Sequence, residues 1–186
     1  MEAILPEKQR RFIEQNQGMC KGRYHISYLV ILGIAGGEEL KQKALEKVGR
    51  TQYRPDEMYP TQEACAIVLF GAENGVPPFR TGTMVAQAFK RAQPQLFQDL
   101  SPQKMLDILC QAYALETDYG STVKVLERGP NRAIVERKNN PMPCEFFQGV
   151  IQGVFAVANL AAEVKEIRCQ WREEVPSCWH EVTWSS

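Results

Sequence analysis

The chain has 186 residues, no formal net charge, 44% hydrophobic residues and 24% charged ones. That length builds one domain with a real core and is too short for two large ones. Balanced charge disfavours non-specific nucleic-acid binding, and no apolar run reaches the ~18 residues of a membrane span, so no nucleic-acid partner and at most a peripheral membrane association are expected.

The opening residues, MEAILPEKQRR, lack the basic-then-apolar order of a signal peptide. A cytoplasmic location is expected, or one at the cytosolic face of a membrane. The six cysteines are then thiols or metal ligands, not disulfides. Residues 4–17 are polar and helix-prone, with Leu5, Phe12 and Ile13 among the few large apolar groups. They read as a first helix or an arm for a partner subunit. Cys20 and His25 flank Tyr24 and read as structural. The longest apolar run, YLVILGIA at 28–35, is a buried helix or strand that Gly36 and Gly37 end. Residues 38–48 form an amphipathic helix with Leu40, Ala44, Leu45 and Val48 on one face and Gly49 as its stop.

Residues 50–60 carry two prolines and read as a loop. Thr61 is placed to cap a helix reaching about Gly71, with Ala64, Ala66, Ile67, Val68 and Leu69 buried and Cys65 a small core residue. A break at 75–78 precedes a helix over 80–92 whose inward residues are Met84, Val85, Ala88 and Phe89. Ser101 followed by Pro102 is a cap and first-turn pair. Met105, Ile108, Leu109, Ala112 and Tyr113 mark the inner face of the helix it opens, with Cys110 beside them. Tyr119, Gly120 and Ser121 turn the chain into a sheet.

Residues 122–128 and 132–138 alternate as a β-hairpin across Gly129, Pro130 and Asn131. A helix after Pro143 carries Phe147, Val150, Ile151, Val154 and Ala158 on one face. Gly149 and Gly153 sit about one turn apart on it, and glycine weakens a helix, so a close neighbour is expected there. Strand-like runs follow at about 163–172 and 178–184. The order predicts an α+β fold, an antiparallel sheet of about four strands with helices packed on one face. The reading is a single domain over 1–186, with a helical extension at 1–60 and a ligand-binding part at 61–186 whose core lies at about 122–184.

Cys144, Cys169 and Cys178 fall in this last stretch, with Glu166 three residues before Cys169. A helix and a hairpin that bring three thiolates and a carboxylate together close a four-ligand metal site. The same spacing also fits three buried core cysteines and a surface glutamate. Regular strand geometry places residues 166 and 169 on opposite faces, so a shared metal requires a bulge or bend. His180 points to the same side as Cys178 and is an alternative fourth ligand. Zinc, an iron–sulfur cluster and a metal-free thiol switch all remain open at this point.

The pattern of a cysteine before a glycine-containing helix, Glu-x-x-Cys, and a further cysteine in a terminal strand resembles the 4-vinyl reductase domain. The resemblance covers about the last 65 residues, and from about residue 60 it is similar to the wider ligand-binding fold. That fold is shared with small Golgi transport-particle subunits and distantly with haem nitric-oxide sensor domains. The resemblance implies zinc held by Cys144, Glu166, Cys169 and Cys178, as in the vinyl-reductase-type domains of phenol-sensing bacterial activators. Glu174, Val175, Pro176 and Ser177 replace the Gly-Asp that usually precedes the last cysteine.

The resemblance further implies a non-catalytic protein that carries or senses a small hydrophobic or tetrapyrrole ligand of the chlorophyll type, acting as an assembly factor in photosynthesis. Phe146, Phe147, Ile151, Phe155 and Trp171 are the candidate pocket residues. A dimerising scaffold of the transport-particle type, as a homodimer or paired with a related chain, is one alternative. An iron–sulfur redox protein or a tetrapyrrole vinyl reductase is another, although no nicotinamide, flavin or phosphate-binding motif is visible. No catalytic residue is assigned. HISYLVILG at 25–33 does not resemble the Tyr-x-Ser-x-Arg signature of the haem sensors, so no haem is expected. Trp171, Trp179 and Trp184 are expected to cluster in the last hairpin, as core or interface.

Overall fold

The structure is a computed structural model that describes residues 5–115, 118 and 120–185, with backbone only at 113–115. Tyr119 and the side chain of Tyr113, both assigned above, lie outside the described residues. Helix α1 spans Glu7–Gln15, followed by the short strand β1 at Met19–Lys21 and helix α2 at Gly22–Lys47. The run at 28–35 is therefore helical. Gly37 interrupts α2 with φ 79° and ψ 176°, a conformation that only glycine adopts readily, so two helical segments meet at a kink. Strand β2, Met58–Pro60, pairs antiparallel with β1.

Helices α3 (Thr61–Glu73), α4 (Pro78–Ala92) and α5 (Pro102–Leu115) follow. Thr61 is the first helical residue of α3 and makes no cap bond; Pro60 takes the cap position. Ser101 does cap α5, its Oγ accepting from the Lys104 backbone N–H at 3.3 Å. The C-terminal part contains β3 (Thr122–Arg128), β4 (Arg132–Lys138), α6 (Cys144–Val157), β5 (Ala161–Arg168) and β6 (Cys178–Ser185). The four strands form one antiparallel sheet in the order β3-β4-β6-β5. The architecture is α+β.

One face of the sheet carries Val135 and Arg137 of β4 and Cys178, His180, Val182 and Trp184 of β6, all buried. Helix α6 lies on that face, with Phe147 5.0 Å from the His180 ring and Phe155 5.3 Å from the Trp184 ring. The other face is half open to solvent, where Arg168 covers Trp179 at 4.3 Å. The three tryptophans therefore do not cluster: Trp171 packs on Phe12 of α1, Trp179 lies on the outer face and Trp184 in the core. The core is continuous across residue 60, since Tyr28, Leu29 and Leu32 of α2 share it with Phe146 and Ile151 of α6.

The tightest contact in the core joins α4 to α6. A Cβ at Gly82 would stand 2.0 Å from the Phe146 carbonyl oxygen, one at Gly149 2.0 Å from that of Phe79, and one at Gly153 2.5 Å from that of Thr83. This is the close neighbour that the two α6 glycines imply. The fully buried residues of α4 are correspondingly Pro78, Thr81, Gly82 and Ala86, while Met84, Val85 and Phe89 pack part-buried against the core beside them. Two backbones can approach this closely only through small residues. Gly82→Ala and Gly149→Ala are each expected to destabilise the fold by about 2 kcal/mol or more, because neither backbone can yield without disturbing the other helix. Urea denaturation of the two variants checks this.

Candidate metal centre

Four elements converge at one end of the sheet. Cys144 is the first residue of α6, with Pro143 in the cap position. Helix N-termini carry partial positive charge, which favours a thiolate there. Cys178 opens β6 and faces inward. Glu166 stands near the end of β5, and Cys169 follows that strand.

A register shift brings the last two together. Glu166 pairs with His180 and Arg168 pairs with Trp179, so Ile167 is the extra residue of a bulge. Ile167 points outward at 45% exposure, and the alternation is reset so that Cys169 turns inward on the side of Glu166. The donor atoms of Cys144, Glu166, Cys169 and Cys178 all lie within 4.8 Å of one another. Cys144 Sγ is 3.6 Å from Cys169 Sγ, and Cys178 Sγ is 4.0 Å from Cys169 Sγ. All three sulfurs are buried and are free thiols. His180 is not part of this convergence; its Nε2 stands behind the carboxylate, 3.8 Å from Glu166 Oε2.

The electrostatics suit a cation. Cys178 is pushed down, first by hydrogen bonds from Cys144 and Cys169 and then by the nearby Arg137 charge. Cys144 moves in the opposite direction. Burial pushes the Glu166 carboxyl up against the opposing hydrogen bond from Cys144, Oε1 accepts from Arg172, and Oε2 has no oxygen or nitrogen donor within hydrogen-bond distance. A divalent ion would ionise all four groups together and give Oε2 a partner of opposite charge.

Several supporting residues were not singled out in the sequence. Arg137 is 1% exposed. It donates to Cys144 Sγ at 3.0 Å, to Met142 O at 3.2 Å and to Pro143 O at 3.4 Å, tying the loop before α6 to the sheet. Its guanidinium also lies 5.0 Å from the Phe147 ring centroid. The backbone N–H of Gln170 donates to Cys178 Sγ at 3.4 Å, and that of Cys169 to Glu173 Oε1 at 3.1 Å. A divalent ion with three thiolates and a carboxylate carries two net negative charges, and Arg137 and Arg172 balance them. The sequence signal for Arg137 was its inward register, two residues beyond Val135 in a strand. Helix α1 covers the centre: Gln9 Nε2 donates to Pro141 O at 3.0 Å and to Met142 O at 2.8 Å, and Phe12 stacks at 5.1 Å on Trp171.

A second feature is an apolar cavity of about 60 Å³ among α2, α4, α5 and α6. Tyr24, Tyr28, Phe89, Ile108, Phe146 and Val150 are among its walls. Of the five aromatic and aliphatic residues put forward as pocket residues, Phe146 alone lines it. Phe147, Ile151 and Phe155 are fully buried between α6 and its neighbours, and Trp171 lies beside the cysteines. The reason is helical geometry: Phe146, Val150 and Val154 form one stripe, and Phe147, Ile151 and Phe155 form the next, turned onto the sheet.

The chain matches no known family model, and no curated protein matches it in sequence. Solved structures do match. An H-NOX protein from S. oneidensis in the Fe(II)NO ligation state is similar over 89% of this chain and 99% of its own, with a TM-score of 0.73 and 12% identity. Unliganded Fe(II) H-NOX from K. algicida is similar over 89% and 97%, with a TM-score of 0.69 and 16% identity. A T. Tengcongensis H-NOX mutant covers 89% and 98%, with a TM-score of 0.70 and 15% identity.

The chain has the H-NOX fold. At these identities the likeness concerns architecture alone, and it corrects the emphasis of the sequence reading. These structures carry the H-NOX name and not that of the 4-vinyl reductase domain. No helix among the described residues is long and apolar enough to cross a membrane.

Loss of a donor at the centre should be separable from loss of a core cysteine. Cys144→Ala, Cys169→Ala and Cys178→Ala are expected to lose bound metal and at least about 3 kcal/mol of stability. Cys20→Ala, Cys65→Ala and Cys110→Ala should keep their metal. Arg137→Met should release metal to a chelator about 10- to 100-fold more readily, with partial recovery in Arg137→Lys. Metal analysis with chelator competition and thermal melts reads all of these.

Proposed function

We propose that this chain is a non-catalytic ligand-binding protein of the H-NOX fold, clamped by a structural zinc ion and taking a small apolar molecule in its helical cavity. The observation that carries the metal reading is the convergence of four donor atoms within 4.8 Å. Three thiolates and a carboxylate are a zinc donor set. Thiolates at about 2.3 Å from one tetrahedral ion stand about 3.8 Å apart. The Sγ separations of 3.6 and 4.0 Å bracket that value. An iron–sulfur cluster interposes iron and sulfide between its thiolates and holds them farther apart, so the spacing favours a single ion. All four positions are filled by protein, which leaves none for a catalytic water. The ion's contribution is to join α6, β5 and β6 at one point.

The ligand reading rests on the cavity. Its lining contains no charged side chain, so an uncharged ligand is favoured. A tetrapyrrole draws its support from the fold, because the H-NOX family is one in which haem distortion has been probed. The cavity argues for something smaller: about 60 Å³ is well below the ~300 Å³ at which drug-sized pockets begin. Neither histidine lines it. His25 stacks on Tyr53 at 4.4 Å, and His180 lies against Glu166. Haem therefore does not fit the site as it stands. The chlorophyll-type ligand and the assembly role in photosynthesis gain no support from this geometry. The pairing that the resemblance implies has a candidate surface in α2, where Val30 and Ile34 are 49% and 64% exposed.

Protein purified without oxygen is expected to contain one zinc per chain and no visible colour, and to melt at lower temperature after chelation. A brown protein with iron and sulfide would overturn the zinc reading. Titration with haemin should give no sharp, saturable absorption band. A stoichiometric complex would show that the helices open to admit a tetrapyrrole.

A further inference from the structure

The cavity is apolar on nearly every side, yet two polar groups close one end of it. Cys20 of β1 and Thr61 at the start of α3 both line it. Thr61 is 1% exposed and Cys20 is 3% exposed. The Thr61 backbone N–H is satisfied by Gly18 O at 2.9 Å, while its Oγ1 has no oxygen or nitrogen partner among the described residues and only the neighbouring Cys20 thiol as a weak one. A buried hydroxyl whose one polar neighbour is a thiol is under-satisfied, because sulfur is a weak acceptor, and it gains from an occupant that offers a stronger one. Burial pushes the Cys20 thiol up to about 12, so it stays neutral and is no nucleophile.

The rest of the wall sets limits on that occupant. Val85 and Phe89 of α4, Ile108 and Leu109 of α5 and Val150 of α6 offer hydrocarbon only. A water-sized volume on this scale takes about 10–15 Å³, so about 60 Å³ admits about four to six such volumes. The occupant is a molecule of a few heavy atoms with an apolar body and one polar atom at one end.

We infer that Thr61 is the specificity-determining group of the cavity and selects a small, uncharged ligand with one hydrogen-bond acceptor, such as a short ketone or ether. The hydroxyl donates its proton to the acceptor atom, while the helices hold the hydrocarbon part. This deepens the proposed function and rests on its reading of the cavity as a ligand site. A purely apolar molecule of the same shape leaves Thr61 with the thiol alone and loses by that difference.

Butan-2-one and 2-methylbut-1-ene test this, since they share a skeleton and differ in C=O against C=CH2. The readout is the methyl NMR shifts of Val85, Ile108, Leu109, Val150 and Val154 in the intact chain. The ketone is expected to move these methyls and to bind about tenfold more tightly than the alkene, the worth of one hydrogen bond. Thr61→Val keeps the shape and removes the donor, and it should abolish the ketone's advantage while the alkene still binds. An unchanged ratio in Thr61→Val, or equal binding of both probes to the native chain, overturns the role of Thr61 and leaves the cavity reading intact. No methyl shift with either probe means that only water enters, and it overturns both. If Thr61→Val does not fold, Thr61→Ala serves in its place: it also removes the donor and should abolish the preference, and a preference that persists overturns the role of Thr61.

Discussion

Three buried thiols and a carboxylate cannot all ionise at one point unless a cation joins them. The C-terminal elements bring these four groups to one point. Cys144 comes from a helix N-terminus, Cys178 from the start of a strand, and Glu166 and Cys169 from either side of a bulge. Each element end would otherwise expose a polar or strained terminus. Gathered together, they place helix, sheet and connecting loop in a fixed relation. Arg137 extends this order to the loop before α6 by binding two of its carbonyls and facing the sulfurs. Helix α1 then closes the site from outside through Gln9 and Phe12.

The helical half is governed by a different constraint, close packing between α4 and α6. Glycines at 82, 149 and 153 let the backbones approach until a single added methyl would collide. Beside this contact, Val85, Phe89 and Val150 line a small cavity against α2 and α5. The two halves meet in α6. One stripe of that helix faces the cavity, another faces the sheet, and its first residue is a donor at the candidate metal centre.

Much of the fold was legible in the sequence because its signals are local. The hairpin at 122–138, the cap at Ser101 and the break at Gly37 are set by alternation, a side-chain oxygen and a backbone that tolerates positive φ. The four donors were legible as residue types at a spacing, but their geometry was not. Strict alternation separates Glu166 from Cys169, and only the extra residue at Ile167 reunites them. Hydrophobic periodicity picks out Met84, Val85 and Phe89 of α4, which do pack against the core, but it misses the fully buried Thr81, Gly82 and Ala86 that close approach selects. The cavity had no local signature, since it is a gap where four helices meet, and of the proposed pocket residues Phe146 alone faces it.

The likeness to H-NOX structures across 89% of the chain gives the architecture without giving the chemistry, because identities lie near 12–16%. The chemistry of this chain lies in its set of sulfur and carboxylate donors and in its small, uncharged cavity. X-ray absorption at the zinc edge of the purified protein tests the first of these most directly. The account predicts three sulfur neighbours at about 2.3 Å and one oxygen at about 2.0–2.2 Å, at one zinc per chain. Protein that carries no stoichiometric metal, or a metal without sulfur neighbours, would contradict it.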